Sequence, residues 1–231
     1  MNTETTSVGR EDSKSRLKID WKMLYSYIEE INKSSFVDEI QERAKNDTQG
    51  CMSTTDSTML YGLIRLFKPK VCLETGSRRG KSSAFILKAL KDNNEGVLLG
   101  IERDTKIKIG ELIPERLISS FRIYNMSVHK FVESDEFKEL KIDLFLHDST
   151  HRYEHQLWEF KTFWDKINNG GLLCSHDILY NTSFIDFIES KYVEDDKGLT
   201  DFIKSSFGVW GALGNFGFIS KNEANHEIIG I

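Results

Sequence analysis

Glu74-Thr75-Gly76-Ser77-Arg78-Arg79-Gly80-Lys81-Ser82 is the stretch that decides the fold. It joins a short apolar run, Val71 to Glu74, to a segment with helical spacing, Ser82 to Leu90. In a doubly wound sheet such a strand–turn–helix junction binds ligands, because backbone amides and the helix N-terminus open outward there. Gly76 and Gly80 would let the backbone approach a ligand, since neither has a side chain in the way.

Working outward from this turn, strands and helices alternate. Strands are predicted at Val97 to Ile101, Phe121 to Tyr124, Ile142 to Leu146 and Gly171 to Ser175. Between and after them lie an amphipathic stretch around Ile107 to Ile118 and helices at Ser127 to Leu140, Tyr153 to Trp164 and Ser183 to Tyr192. Two last strand-like runs, Val209 to Leu213 and Phe216 to Ser220, flank the hairpin signal Gly214-Asn215. The expectation is an α/β, Rossmann-like, doubly wound and mostly parallel seven-stranded sheet, with helices on both faces and an antiparallel C-terminal strand pair.

Upstream, Trp21, Leu24, Tyr25, Ile28 and Ile31 recur at the spacing of one helical face, and a second helix is expected around Phe36 to Ala44. The polar run Gln49 to Asp56 reads as a loop, with Asp56 or Ser57 capping a helix that Pro69 ends. Residues 1–20 offer little to bury and read as a disordered leader. Residues 21–231 read as a single domain with an N-terminal helical cap over about 21–56.

Of the 231 residues 39% are hydrophobic and 29% charged, enough for one substantial core. A formal net charge of -5 argues against a nucleic-acid binder, which needs clustered cations to displace counterions from phosphates. A small-molecule partner fits better. No apolar run is long enough to cross a bilayer and the first residues lack a secretory apolar centre, so a cytoplasmic protein is expected. Cys51, Cys72 and Cys174 are too scattered to bind a metal together and read as reduced thiols, the last two buried in strands.

Gly80-Lys81-Ser82 suggests a phosphate-binding P-loop, but only three residues separate Gly76 from Gly80 where that loop needs four. A dinucleotide fingerprint wants another glycine spacing. An acid before the turn suits a cationic ligand, and Glu74 would repel a pyrophosphate. Gly100-Ile101-Glu102 sets a second acid at a strand end, where its oxygens can take both hydroxyls of a ribose.

Val71 to Leu90, Gly100-Ile101-Glu102, Ile142 to Phe160 and Gly170 to Asp177 together resemble the class I methyltransferases, and most of all the small-molecule O-methyltransferase branch known as the methyltransferase 24 group. The resemblance covers roughly Thr58 to Asp177. It implies S-adenosylmethionine as cofactor, with contacts from Glu74, Gly76, Ser77, Gly80, Ser82 and Glu102, and the Asn125-Met126-Ser127 turn near the adenine.

The fourth and fifth predicted strands run into polar clusters, His147-Asp148-Ser149-Thr150-His151 and Ser175-His176-Asp177, which a parallel sheet brings to one rim. The resemblance to metal-dependent O-methyltransferases implies Asp148, His176 and Asp177 as ligands of magnesium or another divalent ion, and His151 as a base with Asp148. A histidine ligand favours manganese, iron or zinc over magnesium, and Asp148 could instead hold the loop or meet the cofactor amine. His155, Trp158 and Phe160 read as part of a packed helix, and His129 and His226 as surface residues. The reading is a methyltransferase acting on a small-molecule hydroxyl; the alternatives are a nucleotide-handling enzyme and a non-catalytic S-adenosylmethionine-binding module of the same fold. The helices from Trp21 to Ala44 and the segment from Asn181 to Phe207 are expected to cover the pocket, and a homo-oligomer is plausible.

Overall fold

The computed structural model describes residues 19–45, 51–192 and 215–221. Six strands, β1 (Val71–Thr75), β2 (Val97–Ile101), β3 (Phe121–Tyr124), β4 (Ile142–His147), β5 (Ile167–His176) and β6 (Phe216–Ser220), form one sheet in the order β3-β2-β1-β4-β5-β6. All pairings are parallel except β5 with β6. β1 pairs with both β2 and β4, so the winding reverses there and opens a crevice at the carboxyl ends of the strands.

Side-chain alternation along each strand feeds two cores. Cys72, Leu98, Leu144, Leu146 and Cys174 face one layer, made of α1 (Trp21–Asn32), α2 (Ser35–Ala44), α3 (Thr54–Phe67) and α4 (Lys81–Asp92). Leu73, Leu99, Phe145, Leu173 and Ile219 face the other. There α5 (Val128–Val132), α6 (Asp135–Glu139), α7 (Tyr153–Trp164) and α8 (Ser183–Tyr192) supply Phe131, Phe137, Phe160, Phe163 and Phe187.

The seven-stranded expectation is corrected to six strands among the described residues. The antiparallel pairing at the sheet edge joins β6 to the long β5, with Leu172 opposite Ser220 and His176 opposite Phe216. The other member of the expected pair, Val209 to Leu213, lies outside the described residues.

Three local readings also change. The cap of α3 is Ser53, whose hydroxyl accepts from the Asp56 amide and donates to the Asp56 carboxylate, so that it supersedes Asp56 or Ser57 as the cap. The amphipathic stretch Ile107 to Ile118 is broken by Gly110, with φ of 71°, and by Pro114, and its regular part is a 3₁₀ turn at Glu115–Ser120. The stretch from Ser127 to Leu140 splits into α5 and α6, because the Ser134 hydroxyl accepts from the Phe137 amide and starts a new helix. Cys72 and Cys174 are buried free thiols.

Candidate active site

Strand register aligns the site. Thr75 lies opposite both Ile101 and His147, and His147 opposite Ser175. The next residues, Gly76, Glu102 and Asp148, therefore leave the sheet along one rim, beside His176 at the end of β5. Above β2, β1 and β4 this rim holds a cleft of about 550 Å³ lined by Gly76, Arg78, Glu102, Met126, Ser127, His129, Asp148 and His155 among others. That volume falls within the roughly 300–1,000 Å³ of small-molecule sites. Gly76, with φ of 84°, is required: a Cβ there would lie 2.1 Å from the Asp148 carbonyl oxygen. The turn is thus pressed against the loop that carries Asp148.

Glu102 faces the cleft and is 6% exposed. Its Oε2 accepts from the Arg78 amide at 2.9 Å and its Oε1 from the Asp104 amide at 2.7 Å. A carboxylate offers about four acceptor positions, so the pinned group keeps capacity for a ligand diol. Glu74 is placed differently. It is fully buried, does not line the cleft, and accepts hydrogen bonds from the hydroxyls of Ser82, at 2.5 Å, and Ser83. Burial pushes its carboxyl up to about 7, against the pull of those two hydroxyls. Ser77, Gly80 and Ser82 likewise do not line the cleft; Ser77 packs over Gly100, where a Cβ would come within 2.5 Å of its Oγ. Lys81 turns to Thr54 Oγ1 at 3.5 Å and is absent from the cleft wall, so the cation of a phosphate grip points elsewhere.

The rim beside the cleft gathers Asp148, His151, His176 and Asp177. His176 Nδ1 lies 3.0 Å from Asp148 Oδ1 and its Nε2 3.5 Å from Asp56 Oδ2. Burial alone would lower this imidazole, yet the Asp148 and Asp56 carboxylates raise it to about 10. His151 Nε2 lies 3.1 Å from Asp177 Oδ2 and 3.9 Å from Asp148 Oδ1. Burial and the neighbouring His147 hold His151 below its ordinary value despite the nearby carboxylates. Asp177 sits in the left-handed region, with φ of 56°, and accepts from Asn215 Nδ2 at 2.5 Å. Asp148, His151 and His176 each offer one ligand atom, all within 4.8 Å of one another. Two imidazoles beside carboxylates make a donor set that fits manganese, iron or zinc better than magnesium.

Two features of the site escaped sequence reasoning. Asp56 reaches His176 from α3, and nothing in its spacing announces that contact. Glu159 of α7 is fully buried and bonded to four partners: Thr75 Oγ1 at 2.7 Å, His147 Nδ1 at 2.8 Å, Ser149 Oγ at 2.7 Å and His155 Nε2 at 2.7 Å. Burial would raise this carboxyl, but His147, His155 and Thr75 hold it well below the usual carboxylate range. The four-residue spacing of His155 and Glu159 was the available signal. His129, exposed as expected of a surface residue, and His155, expected as part of a packed helix, both line the cleft. His226 and residues 193–207 lie outside the described residues. The helices expected as a lid, α1 and α2, pack in the α3 and α4 layer and contribute nothing to the cleft wall.

Residues 73–178 match the methyltransferase 24 family, described as a methyltransferase domain. No curated protein matches the chain. Among solved structures, it is similar to an O-methyltransferase of Streptomyces achromogenes involved in tomaymycin synthesis and complexed with S-adenosylmethionine, at 14% identity and a TM-score of 0.53, over 71% of this chain and 77% of that one. A Podospora anserina methyltransferase bound to S-adenosylhomocysteine gives 15% and 0.52, over 71% and 74%. A Bacillus cereus O-methyltransferase in complex with S-adenosylhomocysteine gives 15% and 0.51, over 68% and 76%. These structures share the fold. A switch-point cleft and a strand-end acid at Glu102 thus lie within residues 73–178, the part of the chain that matches a methyltransferase domain and spans β1 to β5.

Proposed function

We propose that the chain transfers the methyl group of S-adenosylmethionine to a hydroxyl of a small molecule, at the rim where Asp148, His151, His176 and Asp177 meet. The observation that carries this reading is the continuity of the cleft from Glu102 to Asp148. The spare acceptor positions of Glu102 take the ribose hydroxyls, Ser127 lies beside the purine, and Asp148 faces the methionine end with its positive charges. The backbone at Gly76 lets the ligand approach the sheet. The methyl group then sits at the junction of cleft and rim.

Methyl transfer is an in-line displacement, and alignment of the acceptor supplies about 7–11 kcal/mol of the barrier. His151, kept below its ordinary pKa, is neutral at neutral pH and takes the hydroxyl proton, while Asp177 at 3.1 Å stabilises the imidazolium that forms. Asp148, His176 and Asp177 would hold a divalent ion, which when bound would acidify a coordinated hydroxyl. No helix among the described residues is long and apolar enough to cross a membrane.

The reading is tested by following S-adenosylhomocysteine release over a panel of phenols, sugars and other hydroxylated acceptors. His151→Ala lowers turnover by about 10²-fold or more and leaves cofactor affinity within a few-fold. Retained turnover removes His151 from the role of base. Chelation followed by manganese add-back abolishes and then restores activity, and indifference to both steps removes the ion.

A further inference from the structure

The cleft has an imidazole whose orientation is fixed by a group outside the methyl-transfer rim. His129 of α5 and His155 of α7 both line the wall formed by the second helical layer, and Trp158 stacks on His129 with ring centroids 4.2 Å apart and planes within 5°. Sheet order places this wall. Asp148 and Gly76 stand at the β1–β4 switch point, Glu102 lies one strand away, and Met126, Ser127 and His129 follow β3 at the next. A nucleoside with its ribose on Glu102 and its sulfonium toward Asp148 therefore directs its base to the His129 and His155 side.

His155 is the anchored member of that wall. Its Nε2 lies 2.7 Å from Glu159 Oε1 and 3.4 Å from Ser149 Oγ. Glu159 is ionised and only accepts, so Nε2 carries the proton. In the neutral ring Nδ1 is then an acceptor, and among the described residues it has no hydrogen-bond partner and is not one of the buried unpartnered atoms. A lone pair open to the base site attracts an amine hydrogen and repels a carbonyl oxygen, so it discriminates adenine from hypoxanthine at the six-position.

We infer that His155, oriented by the buried Glu159, reads the exocyclic amine of the cofactor's purine and makes the site prefer an adenosyl to an inosyl donor. The inference rests on the methyl-donor reading above and adds a specificity-determining residue to it. Glu159 is its positioning residue: it touches no ligand, and through Thr75, His147 and Ser149 it also ties the ends of β1 and β4 to α7.

Calorimetric titration of the full chain with S-adenosylhomocysteine and with S-inosylhomocysteine tests it. The unaltered chain binds the adenosyl compound at least about tenfold more tightly, because the inosyl compound sets two acceptors against each other. His155→Phe, which keeps a flat ring without the acceptor, and His155→Ala both bring the ratio close to one, chiefly by weakening the adenosyl compound. Glu159→Gln narrows the ratio less, and the ¹⁵N resonances of His155 then lose the fixed Nε2-protonated pattern seen in the unaltered chain. An unchanged ratio in both His155 variants, or equal binding of the two compounds by the unaltered chain, overturns the inference while leaving the donor assignment in place. Failure of the unaltered chain to bind S-adenosylhomocysteine overturns the donor assignment itself.

Discussion

Glu74 and Glu159 are both fully buried at the carboxyl edge of the sheet, on opposite faces, and their carboxyl groups move in opposite directions. Glu74 meets two serine hydroxyls on the α4 side, and desolvation wins. Glu159 meets two imidazoles and two hydroxyls on the α7 side, and the partners win. Burial alone therefore does not set the charge of an acid at this edge; the number and charge of its donors do. The α7 side holds a fixed carboxylate, and the α4 side an acid that changes charge near neutral pH.

Substitution breaks this pair most clearly at Glu159. Glu159→Gln leaves the buried His147 and the partly exposed His155 facing an amide and lowers stability by about 2–4 kcal/mol at pH 8, measured by urea unfolding. Because its folded pKa is depressed, Glu159 contributes stability above the ordinary carboxylate range and loses it in acid, so the deficit of the variant shrinks as pH falls. Unchanged stability at pH 8 would show that Glu159 is uncharged. Glu74→Gln has the opposite sign. The folded pKa of Glu74 is raised from 4.5 to about 7, so the stabilising contribution of its protonated form is complete below 4.5 and is lost as pH rises through about 7. The variant gains up to about 3 kcal/mol relative to the parent at pH 8 and nothing at pH 4. Equal stabilities at both pH values would remove the claim that burial raises the Glu74 carboxyl. Ser83→Ala sharpens the contrast with the smallest effect, a loss of about 1 kcal/mol with the Glu74 titration moved higher. A titration moved lower would contradict the donor role of that hydroxyl.

Much of the fold was legible. Val97–Ile101, Phe121–Tyr124 and Phe216–Ser220 are short apolar or aromatic runs bounded by turn residues, and they fold as strands with those limits. Ile107 to Ile118 shows why periodicity is insufficient: its apolar residues repeat, but Gly110 and Pro114 interrupt any helix. In the site, Glu102 and Asp148 were legible as strand-end acids, because the residue after a parallel strand enters the crevice whatever its face. Glu74 was misplaced toward the ligand because its face went unread. It shares parity with Cys72 and so turns to α4, while Thr75 shares parity with Leu73 and turns to Glu159. The same rule sends His147 to α7 and His176 to Asp56 of α3. Those last contacts need the packing of whole helices, which no local pattern encodes.

The proposed methyl transfer requires Glu102, in the cleft wall, to hold the ribose of a cationic nucleoside. Calorimetric titration of S-adenosylhomocysteine into the unaltered chain and into Glu102→Ala reads this directly. The expected result is saturable one-to-one binding by the former and a loss of at least about 30-fold in the latter, as two hydrogen bonds to a charged acceptor disappear. Equal affinity in both proteins, or no binding to either, would contradict it.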